Sequence, residues 1–108
     1  MFLGQFHSMQ AYLYQEGTVI QLVSYQSKVV EYDTVKHVLT LFDRWQYSPT
    51  TIRQVYKFIY EFAGLPSRYI NVAYLRKLAE QGYVEEGNTH TMVLNYWTIQ
   101  FSNKYPRG

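Results

Sequence analysis

The chain has 108 residues, enough for one domain with a modest core, and its 47% hydrophobic and 17% charged content excludes a disordered tail. The absence of cysteine excludes a disulfide framework, a thiolate zinc site and a cysteine nucleophile together, so stability must come from packing. The net charge of +2 is small for a protein held to a polyanion by phosphate contacts alone, but it is unevenly spread: residues 1 to 47 hold three basic and four acidic groups (−1), whereas Ser48 to Val84 hold Arg53, Lys57, Arg68, Arg76 and Lys77 against Glu61 and Glu80 (+3).

Residues 1–32 read as an N-terminal extension with two open interpretations. Phe2, Phe6, Met9 and Leu13 fit a helical stripe, while Thr18 to Tyr25 is β-branched and fits a strand, with Gly17 breaking the segment between them. From Asp33 or Thr34, both suitable N-caps, Val35, Val38, Leu39, Phe42 and Trp45 recur at three- and four-residue steps and predict a first core helix. Ser48-Pro49 restarts the chain, since Ser caps a helix and Pro suits its first turn. The second helix has Ile52, Val55, Tyr56, Ile59, Phe62 and Ala63 inward and Arg53, Gln54, Lys57, Tyr60 and Glu61 outward, and Gly64 stops it. After Pro66-Ser67 a third helix is expected over residues 67–81, with Val72, Leu75, Leu78 and Ala79 on one side. Tyr83 to Glu86 and Val93 to Phe101 then predict a β-hairpin around the polar run Gly87 to Thr91, and residues 104–108 a frayed tail.

No catalytic constellation stands out. His7, His37 and His90 are scattered without ligand spacing, which argues against a metal, and no phosphate-binding glycine loop or serine elbow is present. Glu85 and Glu86 are adjacent, and neighbours on a strand point to opposite faces. The sequence is therefore read as a non-enzyme without cofactor. With no sustained apolar run of roughly 18 residues and no basic leader, it is expected to be cytoplasmic and not to span a membrane.

Taken in order, Ala63-Gly64-Leu65-Pro66-Ser67 as a turn, Leu75, Leu78 and Gly82-Tyr83-Val84 as a helix exit, and Tyr96-Trp97-Thr98-Ile99 as a return strand resemble the winged helix-turn-helix superfamily of DNA-binding proteins. The resemblance implies an α+β fold, with a three-helix core and a C-terminal hairpin wing over residues 33–103. It also implies a prokaryotic or viral transcription regulator binding double-stranded DNA as a homodimer. It places Tyr69, Ala73, Arg76 and Lys77 at the major groove, Arg68, Arg53 and Lys57 at phosphates, and Asn88, Thr89 and His90 at the wing tip. Asn71 on the third helix and Glu85-Glu86 at the wing base depart from the pattern.

A second expectation comes from the 12 tyrosines, because a small domain cannot bury them all and Tyr is favoured at protein interfaces. Tyr12, Tyr14, Tyr25 and Tyr32 crowd the N-terminal extension and would form a homodimer seam or hold a protein partner. On this alternative the chain is a protein–protein interaction module on the winged-helix scaffold, such as a phage- or plasmid-encoded antagonist or adaptor.

Overall fold

A computed structural model describes residues 1–6, 10–65, 73, 83–85, 89–94 and 97–102. Five strands run in order as an antiparallel meander: β1 (Phe2–Gln5), β2 (Ala11–Glu16), β3 (Val19–Ser24), β4 (Ser27–Asp33) and β5 (Val38–Phe42). A 3-10 turn (Asp43–Gln46) leads into helix α1 (Pro49–Phe58), which continues as a π turn (Ile59–Ala63). The remaining strands are β6 (Tyr83–Glu85), β7 (Thr89–Leu94) and β8 (Trp97–Ser102). All eight form one mixed sheet in the order β1-β2-β3-β4-β5-β8-β7-β6, in which only the β5–β8 pair is parallel.

One face of this sheet carries the core. Its rungs are read from the register: Leu13, Leu22, Val30, Leu41 and Phe101 form one, and Ile20, Tyr32, Leu39 and Ile99 the next. Helix α1 and the π turn that continues it cover this face with Val55, Phe58 and Ile59, all fully buried in the same apolar cluster. Truncating any of these to Ala would cost about 2–5 kcal/mol. The opposite face carries the alternating polar rung Tyr14, Gln21, Glu31, Thr40 and Gln100, where Thr40 Oγ1 donates to Gln100 Oε1 at 3.3 Å. This is the inside-outside alternation of a sheet with one wet face.

The winged helix-turn-helix is therefore corrected. Its first helix does not form: Val38 to Phe42 is a strand and Asp43 to Gln46 a 3-10 turn, so the expected three-helix core is overturned, while the third helix expected over residues 67–81 lies, Ala73 apart, outside the described residues. The helical spacing of Val35, Val38, Leu39 and Phe42 was coincidental, because Leu39 and Leu41 are the positions that face the core while Val35 is exposed in a turn. Residues 1–32 supply strands β1 to β3 and most of β4. The wing is also replaced, since Thr89 to Leu94 is a strand between β6 and β8 and β8 lies in the middle of the sheet. With that scaffold goes the resemblance-based case for a groove-reading DNA-binding regulator.

The Ser48-Pro49 start and the Gly64 stop are present as expected. Ser48 is extended and its Oγ accepts from Thr51 N at 3.1 Å, a cap that contributes about 0.5–2 kcal/mol. Gly64 sits at φ 70° and its N–H donates to Ile59 O at 2.9 Å, five residues back, which closes the π turn. Trp97 Nε1 donates to Ala63 O at 2.9 Å, so β8 satisfies a helix-end carbonyl and fixes where α1 finishes. Gln54, expected outward, is only 3% exposed, because a polar partner waits for it inside.

Candidate functional site

The β3–β4 hairpin reverses through Tyr25 and Gln26, between the paired Ser24 and Ser27. Both turn residues have positive φ, 49° and 68°, as a type I′ turn requires, yet neither is the Gly or Asn that takes this conformation without strain. A β-bulge follows: Leu22 pairs with Val30 and Val23 with Lys28, which leaves Val29 as the extra residue on β4. Val29 and Val30 are consequently both buried, and Val29 points beneath the hairpin tip instead of out to solvent.

Across from this tip stands the 3-10 turn that joins β5 to α1. Its end carries Arg44 and Tyr47, and Tyr47 N–H donates to Arg44 O at 3.0 Å. Ser24, Tyr25, Ser27 and Val29 from the hairpin and Arg44 and Tyr47 from the turn line a cleft of about 60 Å³. The rings of Tyr25 and Tyr47 lie 5.8 Å apart at 51°, and the Arg44 guanidinium carbon lies 5.8 Å from the centre of the Tyr47 ring. Tyr25 is 43% and Tyr47 60% exposed, so both offer aromatic surface to solvent while touching each other.

The cleft is held from behind by buried hydroxyls. Ser24 Oγ donates to Gln54 Oε1 at 2.7 Å and lies 3.2 Å from Thr51 Oγ1, and Ser48 Oγ donates to Thr51 Oγ1 at 3.2 Å. The wall of the cleft is thus bonded to the first turn of α1, which contains no acidic residue to offset the positive end of the helix dipole.

The sequence-predicted residues do not assemble into one site. Arg53 and Lys57 are exposed on α1, and Ala73 is exposed with helical backbone. Thr89 and His90 lie within β7, paired with Glu85 and Val84 on one side and with Ser102 and Phe101 on the other, not at a free tip. Arg68, Tyr69, Arg76, Lys77 and Asn88 lie outside the described residues. Of the tyrosines, Tyr12 and Tyr14 are half-buried beside Phe2, their ring centres 5.9 and 5.3 Å from its own. Tyr32 is in the core with its hydroxyl 2.9 Å from His37 Nδ1. Of these four N-terminal tyrosines only Tyr25 belongs to the cleft.

No protein-family model matches the sequence, and neither a curated protein nor a solved structure is significantly similar to it. Sequence reasoning missed Ser24, Ser27, Val29, Arg44 and Tyr47. Tyr47 had a readable signal, since it immediately precedes the Ser48-Pro49 cap and is held wherever that helix begins.

A carboxyl with a shifted titration lies at the far end of β4. Asp33 Oδ1 accepts from Lys36 N, Val35 N and Thr18 Oγ1, each at 3.0 Å, and these bonds, that from Lys36 foremost, hold its carboxyl below the usual range. They shape the β4–β5 turn, where His37 adopts φ 56° and its carbonyl accepts from Thr98 N. Among the described residues no cluster of three His, Asp or Glu could hold a metal, and no helix is long and apolar enough to cross a membrane.

Proposed function

We propose that the protein works by binding another protein, through the tip formed by the β3–β4 turn and the 3-10 turn. The observation that carries this reading is the meeting of two half-exposed tyrosines, one of them on a turn of positive φ, with an arginine beside the second ring. Tyr and Arg are the side chains most often found at the energetic centre of interfaces, because they bring large contact area and fixed donors at little entropic cost. Positive φ at two non-glycine residues costs about 1–2 kcal/mol each, and such strain gathers where a side chain must be presented in one direction. The reading keeps the expectation of an aromatic protein-binding surface, now on a sheet-based scaffold, and is one of binding without catalysis.

The test is photocrosslinking in the native host or a reconstituted extract. A photoreactive phenylalanine replacing Tyr47 should form one discrete protein adduct, while the same residue replacing Tyr60, 65% exposed on the helix, should not. Equal or absent adducts from both positions would remove the proposal.

A further inference from the structure

We infer that two copies of the chain pair through the open edge of β1, antiparallel about a two-fold axis, so that one sheet runs through both; this goes beyond the protein-binding reading and does not depend on it. β1 is the first strand of the sheet, with β2 on one side of it and no described strand on the other. Which backbone groups face outward follows from the ladder. Gln15 N donates to Met1 O and Phe6 N to Ala11 O, both at 2.8 Å, so Ala11, Leu13 and Gln15 turn their backbone groups toward β1. Tyr12 and Tyr14 turn theirs toward β3, and Phe2 and Gln5, which stand opposite them, point their own N–H and C=O groups out of the open edge. Regular alternation would space such groups two residues apart. Here they are three apart, because Leu3 is the extra residue of a β-bulge made with Gly4 at φ 122°.

That spacing selects the occupant. A regular strand laid along β1 would meet one outward position and miss the other, whereas a second β1 carries the same three-residue offset. With Phe2 set opposite the second copy's Gln5, the two exchange both backbone bonds, the reverse pair does the same, and the bulges meet at the axis. A β-carbon built on Gly4 would meet nothing within 4 Å, so the bulge leaves room for the approach. Charge agrees with a self-pairing edge: Phe2, Leu3, Gly4 and Gln5 carry none, so like charges do not face one another, and β1 lacks the lysine or proline that keeps edges apart. Met1 is 74%, Phe2 57% and Leu3 42% exposed, and the Phe2 ring lies against Tyr12 and Tyr14 on the wet face. Pairing puts Tyr14 and Phe2 in one rung with the second copy's Gln5 and Tyr12, which gives two of the tyrosines expected at a homodimer seam a place beside it. Such an edge covers on the order of 400 Å² per copy, the size of weak, reversible complexes (under about 1,200 Å² in total).

The experiment follows the full chain by sedimentation equilibrium from roughly 5 to 500 µM, the range suited to an interface of this size. The average mass should rise from that of one chain toward that of two and no further. Leu3→Lys, which sets two like charges at the axis, should weaken association at least tenfold, while Val35→Lys, exposed in the β4–β5 turn across the sheet, should leave it unchanged. Because the chain has no cysteine, the register can be read by oxidising a mixture of Phe2→Cys and Gln5→Cys chains, whose paired Cα atoms would lie about 5.5 Å apart, within disulfide reach. The mixed disulfide should outnumber either homodimer at least tenfold. A single-chain mass throughout, growth beyond two chains, association indifferent to Leu3→Lys, or disulfides formed without regard to partner would each overturn the inference. Because the mass is measured on the unsubstituted chain, that result stands whether or not the variants fold.

Discussion

Ser24 Oγ donates to Gln54 Oε1 at 2.7 Å, which ties the end of β3 to the middle of α1 inside the core. The direction of every proton behind that bond follows from it. Ser24 spends its hydrogen on Gln54, so Thr51 must donate to Ser24, Ser48 donates to Thr51, and the Thr51 amide donates to Ser48. The chain ends on Gln54 Nε2, which is buried and has no partner among the described residues. Turning the amide over would only exchange an orphan N–H for an orphan oxygen.

Ser24→Ala should therefore destabilise the protein by about 1–3 kcal/mol, because it orphans the Thr51 hydroxyl and the Gln54 oxygen together. Gln54→Met removes the orphan amide and leaves Ser24 without an acceptor. The double variant should be less damaged than the sum of the two single variants by at least about 0.5 kcal/mol, as expected for groups in one network. Urea denaturation of the four proteins measures this, and strictly additive losses would show that the two side chains do not communicate.

The hairpin tip separates stability from binding. Replacing Tyr25 with Asn and Gln26 with Gly installs the sequence that a type I′ turn favours and should raise stability by about 1 kcal/mol. The same change removes one of the two rings at the cleft, so the crosslink from position 47 should weaken. A variant that is both less stable and equally competent in crosslinking would contradict the role given to Tyr25.

Gly64 isolates a backbone effect. A β-carbon there would meet nothing within 4 Å, yet φ is 70°. Gly64→Ala should cost about 1–2 kcal/mol from conformation alone, and Gly64→Asn less, since Asn tolerates this region. The urea midpoint should fall while the slope stays constant. No change for Ala would mean that the helix end can relax into another conformation.

Asp33 predicts the acid limb. Its carboxyl is held below its ordinary value of 3.8, so the folded state favours the charged form. The stabilisation is complete above the unfolded value and is lost as pH falls through the lower folded one. Thermal unfolding of the parent chain between pH 5 and pH 2, those limits chosen to lie roughly either side of that window, should decline more steeply than that of Asp33→Asn. Parallel curves would deny the carboxylate this part.

Where the chain announced its structure, it did so through residues whose chemistry is local. Ser48-Pro49 and Gly64 bracket α1 because a cap and a left-handed stop act within a few residues. Trp97, Ile99 and Phe101 alternate, and all three face the core. Val38 to Trp45 misled because a five-residue strand followed by a tight turn reproduces helical spacing by chance, and His37 takes positive φ where no glycine marks the turn. The cleft was illegible for the same reason. Ser24-Tyr25-Gln26-Ser27 carries no hairpin signal, and Gln54 looks like a surface residue until Ser24, 30 positions away, is found beside it.

The parallel seam between β5 and β8 bears on how the chain is made. Strands β1 to β5 pair with sequence neighbours and can assemble as soon as they leave the ribosome, but β5 keeps an open flank until residues 97–102 have been translated. Through that interval the nascent meander is sticky along one side, and shielding by a chaperone or by a pause in elongation would fall between the synthesis of Phe42 and that of Ser102.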